Sequence, residues 1–215
     1  MSVDSTTTNL EFTALLCSRL CHDVIGPVGA VINGLEVLDD DDDEEMREIA
    51  FALIRKSARQ ASARLQLCRL AFGAAGSAGA DLDLGDAEQV VRSFIEDDKV
   101  VLEWSVPHET RPKNQVKLLL NLVLIALTGI PRGGSLNVNV SADAMSVAAS
   151  GEGAKFSREV ASVFAGEVPE NGHDARSIQL QYSMDLAANL GMSLVVTSND
   201  GALEISANPR AVAAA

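Results

Sequence analysis

One stripe of apolar side chains runs the length of the first helical segment. At ~100° per residue, Leu10, Ala14, Cys17, Leu20, Cys21, Val24, Val28, Val31, Ile32, Leu35 and Leu38 fall on one side of a helix, with Ile25 at its edge. The stripe continues for roughly eight turns. Propensity alone does not stabilise a helix of that length in water, so the stripe must be buried against partners. Asn9 offers an N-cap, and Glu11 suits the positive end of the helix dipole.

The stripe stops at Asp39, where seven consecutive acidic residues run to Glu45. They read as a solvated turn followed by an acidic first turn of the next helix, where carboxylates face the positive helix N-terminus. Interleaved glycine and spaced calcium ligands are missing from this run. A second helix is expected from about Glu44 to Phe72. Its apolar side is Met46, Ile49, Ala50, Leu53, Ser57, Ala61, Cys68 and Ala71, with Arg55, Arg59, Arg64 and Arg69 elsewhere. Two amphipathic helices joined by a short turn form a hairpin, and each covers only one face of the other. Two hairpins from two copies of the chain close a four-helix bundle, so a two-fold homodimer is expected.

Past Phe72 the pattern changes. The stretch AAGSAGA, Ala74 to Ala80, is small and unpatterned, as a linker is. From residue 81 short strands alternate with helices. The expected helices are 84–98, 112–130, 155–165 and 177–190. The expected strands are Val100–Val106, Leu136–Val140, Met145–Ala149 and a closing hairpin of Leu194–Thr197 with Leu203–Ala207, turned by Asn199-Asp200-Gly201. The final AVAAA reads as frayed. The fold class is therefore α plus α/β: a helical hairpin (1–74), a linker (75–80) and an α/β sandwich (81–215).

Composition narrows the function classes. Of 215 residues 47% are hydrophobic, enough for a sizeable core, and 30 acidic residues against 17 basic give a net charge of −13. That charge repels phosphate backbones and argues against nucleic-acid partners. Three cysteines fit a reducing compartment rather than a disulfide framework. The start, MSVDSTTTNLEF, lacks the basic and apolar regions of a signal peptide. The longest apolar run, Leu118 to Leu127, is about half of the ~20 residues that span a bilayer. A cytoplasmic protein without a membrane partner is expected.

Of the three histidines, His108 and His173 lie in loop-like stretches. Only Cys17, Cys21 and His22 cluster, but rotation sends the two cysteines to the apolar stripe and His22 away from it, which argues against zinc. His22 projects more than ~120° from the centre of the stripe. Its neighbours on that side are Ser18, Arg19, Gly26, Gly29 and Asn33, so a single imidazole stands above a low surface. Gly26, Pro27 and Gly29 each weaken a helix interior, and such local violations gather where function is carried. Pro27 also frees a backbone carbonyl near Asp23 and invites a bend below His22. A neutral imidazole is a phosphoryl acceptor near neutral pH. Asp23 follows directly and is a candidate acceptor for Nδ1–H, which leaves Nε2 free to attack.

The stretch His22-Asp23-Val24-Ile25-Gly26-Pro27 resembles the H-box of two-component histidine kinases: histidine, acid, and proline five positions after the histidine. RLCHDVIGPVGAVINGLEVL (19–38), with ARQASARLQLCRLAFGAAG (58–76), resembles the ChpT-type histidine phosphotransferases of alphaproteobacterial phosphorelays, and the similarity covers essentially the whole chain. The resemblance implies a dimerisation and phosphotransfer hairpin followed by a lobe shaped like a kinase ATP-binding domain. It also implies that the phosphoryl group arrives from the receiver aspartate of a hybrid histidine kinase. From there it leaves for receiver aspartates of response regulators such as CtrA and CpdR.

Nucleotide-binding residues are expected to be missing from the second lobe. LLLNLVLIALTGIPRGGSLNV (118–138) looks like a kinase N-box helix and its next strand, but only the first motif asparagine, Asn121, matches. The second, a Mg²⁺ ligand in kinases, is Ile125, which has no oxygen for a hard cation. In VAASGEGAKF (147–156) the two motif glycines are Gly151 and Gly153, but the adenine-reading aspartate is Ala149. The segment at the phosphate loop, DARSIQLQYS (174–183), contains no glycine. Gly151 and Gly153 then make a plain turn, and Trp104 and Tyr182 are packing residues.

These features predict a homodimeric histidine phosphotransferase. His22 carries the phosphoryl group with Asp23 beside it, and Arg19, Gly26, Asn33, Arg64 and Arg69 are the partner-binding candidates. No cofactor is expected on this chain, since Mg²⁺ belongs to the receiver and ATP is not bound. The rival readings are an autophosphorylating kinase with an unusual ATP site and a non-catalytic dimeric adaptor.

Overall fold

A computed structural model describes residues 9–40, 43–73, 81–96, 99–167 and 172–210. The linker expected before residue 81 and the terminal AVAAA lie outside the described residues. Two long helices, α1 (Asn9–Asp40) and α2 (Glu44–Ala71), pack side by side as the hairpin expected from their stripes. α1 runs through Pro27 as one helix. Asp43 closes the start of α2, its side chain accepting from the backbone N–H of Glu45 at 3.1 Å. Phe72 ends α2, its N–H donating to the carbonyl of Cys68 at 2.9 Å.

Within one chain the apolar stripe of α1 divides in two, as expected of helices that each cover only one face of the other. Leu20, Val24, Val31 and Leu38 lie along the edge that meets α2 and are half-buried. Gly34 is buried on that edge because α2 leaves no room: an added Cβ would lie 2.6 Å from Ile54 Cγ1 and 3.3 Å from the Ala50 carbonyl. Leu10, Cys17, Cys21, Val28, Ile32 and Leu35 face solvent, as does Ile25. α2 divides likewise: Ala50, Ser57, Cys68 and Ala71 are buried, whereas Met46, Ile49 and Leu53 are exposed. The physical reason is geometric. Two helices touch along one line, and a stripe wider than that line needs a further surface to cover it.

The remaining elements are β1 (Asp81–Asp83), α3 (Leu84–Ile95), β2 (Val100–Ser105), β3 (Thr110–Pro112), α4 (Lys113–Thr128), β4 (Gly134–Val140), β5 (Met145–Ser150), α5 (Arg158–Phe164), α6 (Ser177–Asn189), β6 (Met192–Asn199) and β7 (Ala202–Pro209). The long strands form one sheet in the order β2-β4-β5-β7-β6, with β2 parallel to β4 and the other pairs antiparallel. Side chains alternate across it. Leu136, Val138, Val147, Ala149, Leu203 and Ile205 point into the core, while Asn139, Ser150 and Glu204 face outward. α4 lies over the middle of the sheet, buried from Val116 to Ala126, and that burial explains its unbroken apolar run. β1 and β3 make a separate two-stranded ladder that the sequence reading did not contain.

Two devices fix this lobe against the base of the hairpin. Asn121 is completely buried; its Nδ2 donates to the carbonyls of Ala71 (3.1 Å) and Lys117 (2.9 Å), and its Oδ1 accepts from Gln179 Nε2 at 3.4 Å. Tyr182 of α6 packs its ring 6.3 Å from that of Phe12 on α1 and 5.4 Å from that of Phe72. Tyr182 and the half-buried Trp104 are thus packing residues.

Candidate functional site

His22 stands near the middle of α1 with 73% of its side chain exposed. Asp23, only 22% exposed, turns the other way. Its Oδ2 accepts from Arg19 Nε at 3.1 Å, one turn earlier on the same helix. Its Oδ1 lies 3.7 Å from His22 Nδ1, beyond a direct hydrogen bond but within the electrostatic reach of that nitrogen. The arrangement leaves most of the ring exposed and holds a carboxylate near Nδ1. A developing positive charge on the ring has a counter-charge in place.

The ground around His22 is low. Ser18, Gly26 and Asn33 are exposed, and a Cβ built at Gly26 or Gly29 meets nothing within 4 Å. These glycines are therefore not demanded by packing within the chain.

Across the hairpin, Cys68 is buried, and its thiol pKa is pushed up to about 11. Burial is the main cause and the negative charge of Asp23 adds to it; Arg19 and Arg64 act in the opposite sense. A thiol kept protonated in this way is an inert packing group. Cys17 and Cys21, expected on a buried stripe, are exposed. Among the described residues no group of three His, Cys, Asp or Glu side chains is placed to hold a metal.

The two arginines of α2 are placed differently. The Arg64 guanidinium lies 5.4 Å above the centre of the Phe94 ring on α3, which commits it to an internal contact. Arg69, in the last turn of α2, is exposed. His108 is exposed, and His173 is half-buried with Nδ1 enclosed and unpartnered.

The kinase-like motif positions serve the core. Ile125 and Ala149 are buried in it. Asn121 is used up in the three hydrogen bonds described above. Segment 174–183, where a phosphate loop would lie, forms instead the first half of α6, with Ile178, Gln179, Leu180 and Ser183 buried. Asp174 caps that helix, accepting from the N–H groups of Arg176 (2.8 Å) and Ser177 (2.7 Å). Gly151 sits where an added Cβ would lie 2.6 Å from the Gly133 carbonyl, so this turn is glycine for close approach of two backbones.

Comparison with known proteins adds to this geometry. Residues 84–202 match the model of the histidine phosphotransferase C-terminal domain. The chain is 43% identical over 200 residues to "Protein phosphotransferase ChpT" of Brucella abortus (strain 2308), a match covering 91% of this chain and 94% of that protein. The chain belongs to the histidine phosphotransferase family. A solved structure of similar shape, "1.7 Angstrom Structure of a Bacterial Phosphotransferase", superposes with a TM-score of 0.87 at 39% identity, covering 96% of this chain and 100% of that one. The family match on the second lobe runs from the start of α3 to the start of β7, so it takes in α4 and four of the five strands of the core sheet.

α1 also meets the length and composition of a membrane span, over Leu10–Asp39. Polar residues interrupt the span, so it contains no long unbroken apolar run. Arg19, His22 and Asp23 sit at its middle and its apolar residues keep to one side, the pattern of an amphipathic helix that packs on protein.

Proposed function

We propose that His22 is the phosphoacceptor of this phosphotransferase and relays a phosphoryl group between receiver aspartates in a bacterial phosphorelay. One observation carries the assignment: His22 is the bared side chain on α1 with an anchored carboxylate 3.7 Å behind its Nδ1. In the forward step Nε2 attacks the phosphorus of a receiver acyl phosphate. The N–P bond forms as the acyl O–P bond breaks, and the carboxylate departs with the electron pair. The phosphorylated ring is cationic while Nδ1 keeps its proton, and Asp23 offsets that charge. Transfer to a second receiver reverses the step. Mg²⁺ and the other electrophilic groups belong to the receiver, and positioning is the contribution of this chain.

The donor is the receiver domain of a hybrid histidine kinase, and the acceptors are response-regulator receivers of the CtrA and CpdR type. They dock over Arg19, His22, Gly26 and Asn33, where the surface is low. Arg69 is free to extend that surface, whereas Arg64 reaches it only by leaving Phe94. The exposed apolar residues of α1 and α2, among them Ile25 at 70% and Ile49 at 56% exposure, are the surface on which two copies form a four-helix bundle. Three free cysteines agree with a reducing cytoplasm.

The α/β lobe resembles a kinase ATP-binding domain that no longer binds ATP. The committed hydrogen bonds of Asn121 and the buried Ile125 support this. The test is transfer from a phosphorylated receiver to wild-type chain and to His22→Gln. Loss of transfer in the variant, with dimer and receiver complex intact, is expected. Retained transfer overturns the assignment.

A further inference from the structure

The cleft between α1 and the α/β lobe has a volume of about 310 Å³, near the lower end for ligand pockets. Arg19 of the hairpin and Arg176 of the lobe both line it. The Nε of Arg19 holds Asp23, which leaves its two Nη groups for other acceptors. The Arg176 guanidinium forms no ion pair within 4 Å among the described residues, although its charge reaches the Asp174 carboxylate, which also accepts from its backbone N–H. Ser157 lines the same cleft, and its Oγ accepts from Val160 N–H at 3.2 Å, which leaves the hydroxyl proton to donate. Thr128 has no donor to spare, since its hydroxyl already reaches the Ile125 carbonyl at 2.7 Å. Glu159 is the lining carboxylate, and each arginine also has a carboxylate that orients it, Asp23 beside Arg19 and Asp174 near Arg176. Ile125, Val160 and Leu180 supply an apolar wall.

We infer that this cleft binds a small phosphomonoester. Two guanidinium forks from opposite walls and one hydroxyl match the three terminal oxygens of a phosphate dianion. The apolar wall takes a compact organic body. A nucleoside triphosphate is the wrong ligand, because the wall position that would need a cation-binding oxygen is Ile125.

The site bears on the phosphoacceptor through one side chain. Arg19 is shared between the cleft and Asp23, and Asp23 faces His22 Nδ1. A phosphate that recruits Arg19 frees Asp23 to approach the imidazole. Occupancy of the cleft is thereby coupled to the position of the carboxylate behind His22. The binding claim stands independently of whether His22 is phosphorylated.

Calorimetric titration of the full chain with ribose 5-phosphate and, separately, with inorganic phosphate tests the inference, with NMR of the His22 ring protons as a second readout. Saturable binding of one ribose 5-phosphate per chain is expected, weakening with added salt and accompanied by a shift of the His22 resonances. Inorganic phosphate should bind the same site about tenfold more weakly, lacking the contact with the apolar wall. Arg176→Ala, at an exposed position, should weaken ribose 5-phosphate by about tenfold or more, and Glu159→Gln should tighten it by about threefold. Absence of saturable binding to the wild-type chain overturns the inference. So does binding that neither substitution alters.

Discussion

The side-chain amide of Asn121 donates to the backbone carbonyl of Ala71 at 3.1 Å, fastening the core helix of the α/β lobe to the last turn of the hairpin. A residue that looks like the first asparagine of a kinase N-box in the sequence is thus a structural staple. Asn121→Leu keeps the volume but leaves two buried carbonyls and Gln179 without their partner. The expected loss is about 2 kcal/mol, read from urea unfolding. Adding Mg²⁺ and ATP to the wild-type chain should leave the unfolding midpoint where it was, because linkage shifts it only if the folded state binds them.

Gly26 and Gly29 give a prediction with two opposite signs. Neither would be crowded by a methyl group within the chain. Alanine at each should stabilise α1 by about 0.5–1 kcal/mol in thermal unfolding. The same methyl groups fill the low ground beside His22, so receiver binding and transfer rate should fall. A stabilised chain with unchanged receiver affinity would show that this face is not where receivers dock.

The split stripe predicts the oligomeric state. Leu35→Asp or Ile49→Asp puts a charge on the exposed apolar side of the hairpin, away from the line where α1 meets α2. Sedimentation should show a dimer for the wild-type chain and a monomer for each variant, with helical content preserved. A wild-type monomer at micromolar concentration would contradict the bundle.

Asp174 supplies a pH dependence. Its carboxyl pKa lies below the ordinary value, chiefly because it accepts from the Ser177 N–H; the Arg176 N–H, the Ser177 hydroxyl and the Arg176 positive charge add to this, against some desolvation. A lowered pKa means the unfolded chain binds the proton more readily. The stabilisation is therefore complete above about pH 5 and fades as pH falls through the folded value. Asp174→Ala should cost about 1 kcal/mol at neutral pH. The gap from wild type should narrow in unfolding curves taken below pH 4.

Much of this was legible in the sequence, for identifiable reasons. α4 and α6 and the five long strands were marked by alternation, periodicity and turn residues, with ends displaced by a few positions. His22 was legible because it broke the apolar period of its helix. The short β1 and β3 were not, since three residues are too few for alternation and backbone pairing makes them. The stripe of α1 gave the direction of burial but not its owner, because a period cannot tell an internal partner from an external one. Arg64 was marked only by its charge, and its placement over Phe94 depends on a helix beyond the hairpin. The pairing of Arg19 with Arg176 across the cleft is purely tertiary and left no signal in either segment.

The central claim concerns which atom carries the phosphoryl group. The most direct measurement is mapping of the modified residue by mass spectrometry after mixing the full chain with a phosphorylated receiver and no ATP. The expected result is an acid-labile, base-stable phosphate on the peptide containing His22, and no modification of that peptide when ATP is supplied without a receiver. Phosphate found on His108 or His173, or strong labelling of His22 from ATP alone, would contradict it.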